Sequence, residues 1–242
     1  MQIPQTPASE YSMRSLHDHW MVGAPSSGNV YFQNLYGMYV RNCHGVETGS
    51  NLEIAKHAYH VDQKPVCATS LGCTPAADFL SADQLQEDLS SGQASTSQIF
   101  KVTRDWKDVM VSNWKTYAPE QSFSEFAEGP MGFSMLSDFV EASKNVVATK
   151  EWSYEYAVEN PHQFMAELVH ALLPHEDNPN HENYMFPKEE INQNIIDVVV
   201  QDSGIRRCRE GTGEDLMERV GIWKEWLTPE EAEMVNEWEA QQ

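Results

Sequence analysis

The segment that most constrains this chain is HWMVGAPSSGNVYFQNLYGMYV, His19 to Val40. His19–Ala24 is a short apolar run suited to a buried parallel strand. Gly23 and Gly28 follow five apart, and Phe32, Leu35, Tyr36 and Tyr39 then recur at helical spacing. Strand, glycine turn and helix, in that order, is the setting of a phosphate loop, where backbone N–H groups at a helix N-terminus face an anion. In a nucleotide triphosphatase such a loop ends in a lysine for the terminal phosphates and a Ser/Thr for magnesium. Here Asn29 and Val30 occupy those places. Magnesium-dependent phosphoryl transfer, and with it a small-molecule kinase, is disfavoured. What is left is a turn of N–H groups with Ser26, Ser27 and Asn29 as extra donors, which can bind an anion or serve structure alone.

Further buried strands are expected at Val66–Ser70, Gln98–Arg104 and Asn145–Trp152, each followed by a segment of helical character. That alternation predicts an α/β, P-loop-like three-layer fold with a central parallel sheet flanked by helices, as a single domain over residues 1–242. Helices are expected at about 161–173, 187–201 and 229–240. Asn160-Pro161 with Gln163, and Thr228-Pro229 with Glu231, read as capping sequences. Loops at about 41–95 and 118–140 are expected to shape an acceptor pocket, with Asp88–Gln98 a flexible connection.

Net charge limits the partners of such a fold. With 16 Lys+Arg against 37 Asp+Glu the chain carries -21, which repels nucleic acid, anionic lipid and polyanionic glycans. A small, neutral or cationic partner is expected. No apolar run approaches the roughly 18 residues of a membrane span, and the N-terminus lacks a basic start followed by an apolar stretch, so a cytoplasmic address is expected. Cys43, Cys67, Cys73 and Cys208 are irregularly spaced and read as reduced thiols rather than metal ligands.

Two further constellations could meet an anion despite that charge. In IFKVTRDWKDVMVSNWKTY, Ile99 to Tyr117, a strand ends in Arg104 and a helix presents Ser112 two turns later. Arg104 could equally be satisfied by Asp105 or Asp108. In RRCREGTGEDLMERVGIWKEWLTPEE, Arg206 to Glu231, Arg206, Arg207 and Arg209 form a basic cluster before a glycine-rich loop. Their guanidinium forks suit phosphate oxygens, with ion pairing to Glu210, Glu214 and Asp215 as the alternative. Trp223 and Trp226 read as core packing.

In order and spacing, these three constellations resemble the cytosolic sulfotransferases, which transfer a sulfuryl group from 3′-phosphoadenosine 5′-phosphosulfate (PAPS). The resemblance covers nearly the whole chain. Pro25–Tyr31, PSSGNVY, looks like the family's PKSGTTW loop, which holds the 5′-phosphosulfate. Val102–Ser112, VTRDWKDVMVS, is similar to its VRDPRDVxVS segment, whose arginine and serine bind the 3′-phosphate. Arg219–Glu231, RVGIWKEWLTPEE, resembles its terminal RKGxxGDWKxxFTPE, with the basic-glycine part displaced upstream to Arg207–Gly211 by an insertion, which leaves Arg206, Arg207, Arg209 and Arg219 as alternatives.

The resemblance implies PAPS as cosubstrate and no metal. It assigns Ser26, Ser27, Gly28, Asn29 and Val30 to the phosphosulfate, Tyr31 to adenine, and Arg104 and Ser112 to the 3′-phosphate. Arg207, Arg209 and Gly211, or Arg219, would join them there. Ser26 stands where the family has a lysine that assists the leaving phosphate, and Tyr31 where it has a stacking tryptophan. The family's base lies in a Lys-Thr/Ser-His segment. Ile54–His60 offers Lys56 as electrophilic partner with His57 or His60 as base, while Cys67–Cys73 would put Ser70 there. The expected activity is sulfuryl transfer to a hydroxyl or amine of a small, neutral or cationic acceptor. A non-catalytic PAPS- or nucleotide-binding protein is the alternative.

Overall fold

The computed structural model describes residues 20–44, 51, 62–63, 99–144, 148, 150–172, 192–203 and 219–242. Strand β1 (Trp20–Gly23) leads through the glycine turn into helix α1 (Asn29–His44). Strands β2 (Asp62–Gln63) and β3 (Ile99–Thr103) follow, then helices α2 (Trp106–Tyr117), α3 (Phe123–Glu128) and α4 (Phe133–Ser143). Strand β4 (Lys150–Ser153) runs into α5 (Tyr154–Glu159) and α6 (Pro161–Leu172), with α7 (Gln193–Asp202), α8 (Trp223–Trp226) and α9 (Pro229–Glu239) completing the series.

All four strands are parallel, in the order β2-β1-β3-β4. Pairing of Val102 with Trp152 and of Val22 with Lys101 sorts the side chains by face. Phe100, Val102 and Trp152 belong to one buried cluster, with Phe32, Leu35 and Tyr36 of α1, Phe164 and Leu168 of α6, and Ile196 and Val199 of α7. Val22 points the other way, into a second cluster with Val109 and Met110 of α2, Phe126 of α3, Leu136 and Phe139 of α4, and Val235 and Trp238 of α9. Because successive strand residues alternate faces, these two cores lie on opposite sides of the sheet. The three-layer α/β architecture expected from the alternation of strands and helices is therefore present.

The sheet also fixes where a ligand would sit. From β1 the chain steps to β2 on one side and then to β3 on the other, so the connection reverses between β1 and β3. A crevice opens at such a reversal, beyond the carboxyl ends of the strands. The glycine turn leaves β1 there, and Arg104 follows β3 at the same end.

Several boundaries differ from the sequence expectation. The strand expected over 145–152 is Lys150–Ser153, and the helix expected over 187–201 is described as Gln193–Asp202. Residues 118–140, expected as loop, contain α3 and most of α4. Ser122 and Glu125 form a reciprocal capping box that starts α3, and Phe123 and Phe126 bury its inner face. Trp226 is 37% exposed rather than core, stacked with the Lys115 ammonium 4.0 Å from its ring centre, while Lys107 stands 5.2 Å from that of half-buried Trp223. The buried C-terminal tryptophan is Trp238. Val66–Ser70 lies outside the described residues; the strand beside β1 is Asp62–Gln63. Among the described residues no helix is long and apolar enough to cross a membrane.

Candidate functional site

The glycine loop is held by its own side chains. The Ser27 amide and hydroxyl both donate to the Ala24 carbonyl, at 3.0 and 2.7 Å, and Asn29 Nδ2 donates to the Gly23 carbonyl at 3.0 Å. A side chain at Gly23 would collide with both, since a Cβ there would lie 2.5 Å from Ser27 Oγ and from Asn29 Oδ1. Ser26 and Gly28 adopt left-handed backbone, at φ 64 and 111°. For Ser26 that conformation costs on the order of 1–3 kcal/mol and persists only where surroundings over-determine it. They do: its hydroxyl donates to Asn113 Oδ1 at 2.7 Å, and its carbonyl accepts from Arg104 Nη1 at 3.0 Å. The three side-chain donors expected to face an anion are thus engaged within the protein. The first intrahelical bond is Phe32 N–H to the Gly28 carbonyl. The amides of Asn29 and Val30 therefore belong to the first helical turn, which has no i−4 carbonyl to offer.

Arg104 ties this loop to the C-terminal segment. Its guanidinium is buried, donates through Nη2 to the Arg219 carbonyl at 2.9 Å and lies over the Tyr154 ring at 4.5 Å. Tyr154 in turn packs under the loop, where a Cβ on Gly28 would come within 2.7 Å of its ring, and stands 5.7 Å from the Tyr31 ring. One turn into α2, the fully buried Asp108 carboxylate accepts from Gly221 N–H at 2.6 Å and Trp223 N–H at 3.1 Å. Burial pushes its pKa up, against the lowering effect of those two N–H donors and of the nearby Arg104 charge. The Arg219 side chain is also buried and pairs with Glu225.

Of the residues singled out in the sequence, the structure brings Ser26, Ser27, Gly28, Asn29, Tyr31 and Arg104 to one end of the sheet. Ser112 is buried on α2 beside Asn113, the residue that meets Ser26. Val30 lies in the first turn of α1. Lys56, His57, His60, Ser70, Arg206, Arg207, Arg209 and Gly211 lie outside the described residues. Three contributors were not singled out for the site: Asp108, Asn113 and Tyr154. Asp108 carried a signal, as an acidic residue directly before the apolar run Val109–Val111. Asn113 also did, following the serine of the same segment. Tyr154, one aromatic among many, gave none.

The donor set suits a polyanion. The buried Arg104 guanidinium and the start of a 16-residue helix meet at the crevice, the buried Arg219 follows with its carbonyl on Arg104, and the Asp108 carboxylate is already occupied by two backbone N–H groups. Buried Asn113 Nδ2 has no hydrogen-bond acceptor among the described residues. No family model matches the chain, and no curated protein matches it in sequence. Among solved structures, the crystal structure of mouse sulfotransferase SULT7A1 complexed with PAP is similar at TM-score 0.52 and 15% identity, over 92% of this chain and 83% of that one. Retinol dehydratase with androsterone and PAP aligns at TM-score 0.47 and 10% identity, over 93% of this chain and 80% of that one. Its complex with retinol and PAP aligns at 0.48 and 11%, over the same shares. The likeness to SULT7A1 is one of fold, and by it this chain has the sulfotransferase fold.

Proposed function

We propose that this chain is a PAPS-dependent sulfotransferase acting on a hydroxyl or amine of a small, neutral or cationic acceptor. The observation that carries the reading is the convergence of the glycine loop, Arg104 and the Arg219 segment at the reversal point of the sheet. The fold neighbour SULT7A1 was crystallised with PAP, 3′-phosphoadenosine 5′-phosphate, the product left when PAPS gives up its sulfuryl group.

In this reading the amides of Gly28, Asn29 and Val30 meet the 5′-phosphosulfate at the α1 N-terminus, where the helix dipole favours negative charge. Ser27 contributes by shaping the turn, since its amide and hydroxyl are both used on Ala24. Arg104, Ser112 and Arg219 hold the 3′-phosphate, and Tyr31 offers a ring to adenine. Arg219 has the better claim over Arg207 and Arg209 because its own backbone is bound to Arg104. PAPS supplies the transferable sulfuryl group when bound. The protein's share is to align an acceptor oxygen or nitrogen with it, to take the acceptor's proton, and to place donors where charge develops on the departing phosphate. His60 or His57 is the proposed base, with Lys56 as the cation that Ser26 does not provide.

Incubation with PAPS and panels of phenols, alcohols and amines tests this. Sulfated product from a small neutral or cationic acceptor is expected, and preference for a polyanionic glycan would overturn the acceptor class. Ser26 itself supports a second reading, since its side chain is turned onto Asn113 and carries no charge. A non-catalytic PAPS-binding protein would bind PAP and give no turnover on any acceptor.

A further inference from the structure

Asp108 stands out among the buried polar groups because it holds another segment without contributing a donor of its own. Its side chain is 0% exposed. Both of its oxygens are engaged by backbone of a segment more than a hundred residues away, Oδ2 by Gly221 N–H and Oδ1 by Trp223 N–H. Two residues before Gly221, the Arg219 carbonyl accepts from Arg104. The turn from Arg219 to Trp223 is therefore gripped at three backbone points by two side chains four residues apart, one a cation and one an anion. Gly221 takes left-handed backbone, φ 73°, within that grip. A buried carboxylate accepting two N–H bonds tolerates little displacement of either donor, because each is charge-assisted and neither has water as a substitute.

We propose that Asp108 is a positioning residue: by clamping the Gly221–Trp223 backbone it orients the Arg219 guanidinium, which pairs with Glu225 in this structure, toward the 3′-phosphate subsite. The inference rests on the PAPS-binding reading. It predicts a selective effect: loss of the clamp weakens recognition of the 3′-phosphate and leaves the rest of the nucleotide site as it was. A carboxylate that only stabilised the fold would have no such preference.

Asp108→Asn keeps the side-chain shape and replaces one N–H acceptor with a donor. Calorimetry on the full chain would compare PAP with adenosine 5′-monophosphate, which lacks the 3′-phosphate. Loss of one charge-assisted contact is expected to lower PAP affinity about tenfold or more while changing the monophosphate less than about twofold. Arg219→Ala should give the same pattern, and the double variant should lose little beyond either single one. Equal losses for the two nucleotides, or additive losses in the double variant, would overturn the proposal. If wild-type protein does not prefer PAP to the monophosphate, the PAPS-binding reading fails and the positioning role with it. Should Asp108→Asn not fold, wild-type hydrogen exchange carries the test. PAP should slow exchange of the Gly221 and Trp223 amides and the monophosphate should not; equal protection by both would overturn it.

Discussion

At the scale of the residue, the loop depends on conformations that few side chains accept. Gly28 combines φ 111° with the Tyr154 ring directly where a Cβ would project. Gly28→Ala must therefore adopt strained backbone and displace a fully buried tyrosine. Unfolding free energy should fall by about 1–3 kcal/mol, read by urea denaturation, with a matching loss of PAP affinity; an unchanged midpoint would contradict the geometry. Gly23 and Gly28 were legible in the sequence because a strand before them and a helical period after them leave few other structures. The fate of the polar side chains was not. Ser26, Ser27 and Asn29 read as anion donors, yet each is spent on the loop's own carbonyls or on Asn113. A hydroxyl close to a free backbone carbonyl satisfies it first, and which carbonyls stand free is a property of the fold.

At the scale of the element, β3 and α2 were readable because a short strand pattern runs up to Arg104 and a helical one follows it; in the structure Asp105 caps that helix by accepting from Lys107 N–H. The six-residue α3 escaped because under two turns of helix carry too little period to be told from a loop; α4, eleven residues long, did carry helical spacing in Phe133, Leu136, Phe139 and Val140, which the loop expectation passed over. The β4–α5–α6 unit is joined by one carboxylate. Glu167 on α6 accepts from Trp152 Nε1 at 3.1 Å, Tyr156 Oη at 2.8 Å and Lys150 Nζ at 3.0 Å. Burial alone would raise its pKa, but the bonds from Lys150, Tyr156 and Trp152 together outweigh it and bring the group down to about 2. A carboxyl depressed in the folded state contributes stability above its unfolded value, near 4.5, and loses it as pH falls toward 2. Denaturant titrations at pH 5 and pH 3 should show wild type losing more stability than Glu167→Gln over that interval. A parallel loss in both proteins would count against the assignment.

At the scale of the whole molecule, the sequence pattern specified a parallel sheet with helices on both faces, and the two separate cores agree with it. It could not specify which C-terminal arginine joins the site, because that depends on how a segment more than a hundred residues downstream docks on α2. In the described docking the Arg219 carbonyl meets Arg104 and Gly221 N–H meets Asp108, which is why Arg219 is the arginine proposed for the site. A chain of charge -21 binds a polyanion only by gathering local cations and backbone N–H groups against the repulsion of the rest. Arg104 joins the loop and the C-terminal segment in one group, so a polyanion bound at the crevice would depend on it. Calorimetry with PAP on wild type and Arg104→Ala tests this most directly. Saturable binding that falls about a hundredfold or more on substitution is predicted, as for a buried, charge-assisted contact to phosphate. No binding by wild type, or binding unchanged in Arg104→Ala, would contradict it.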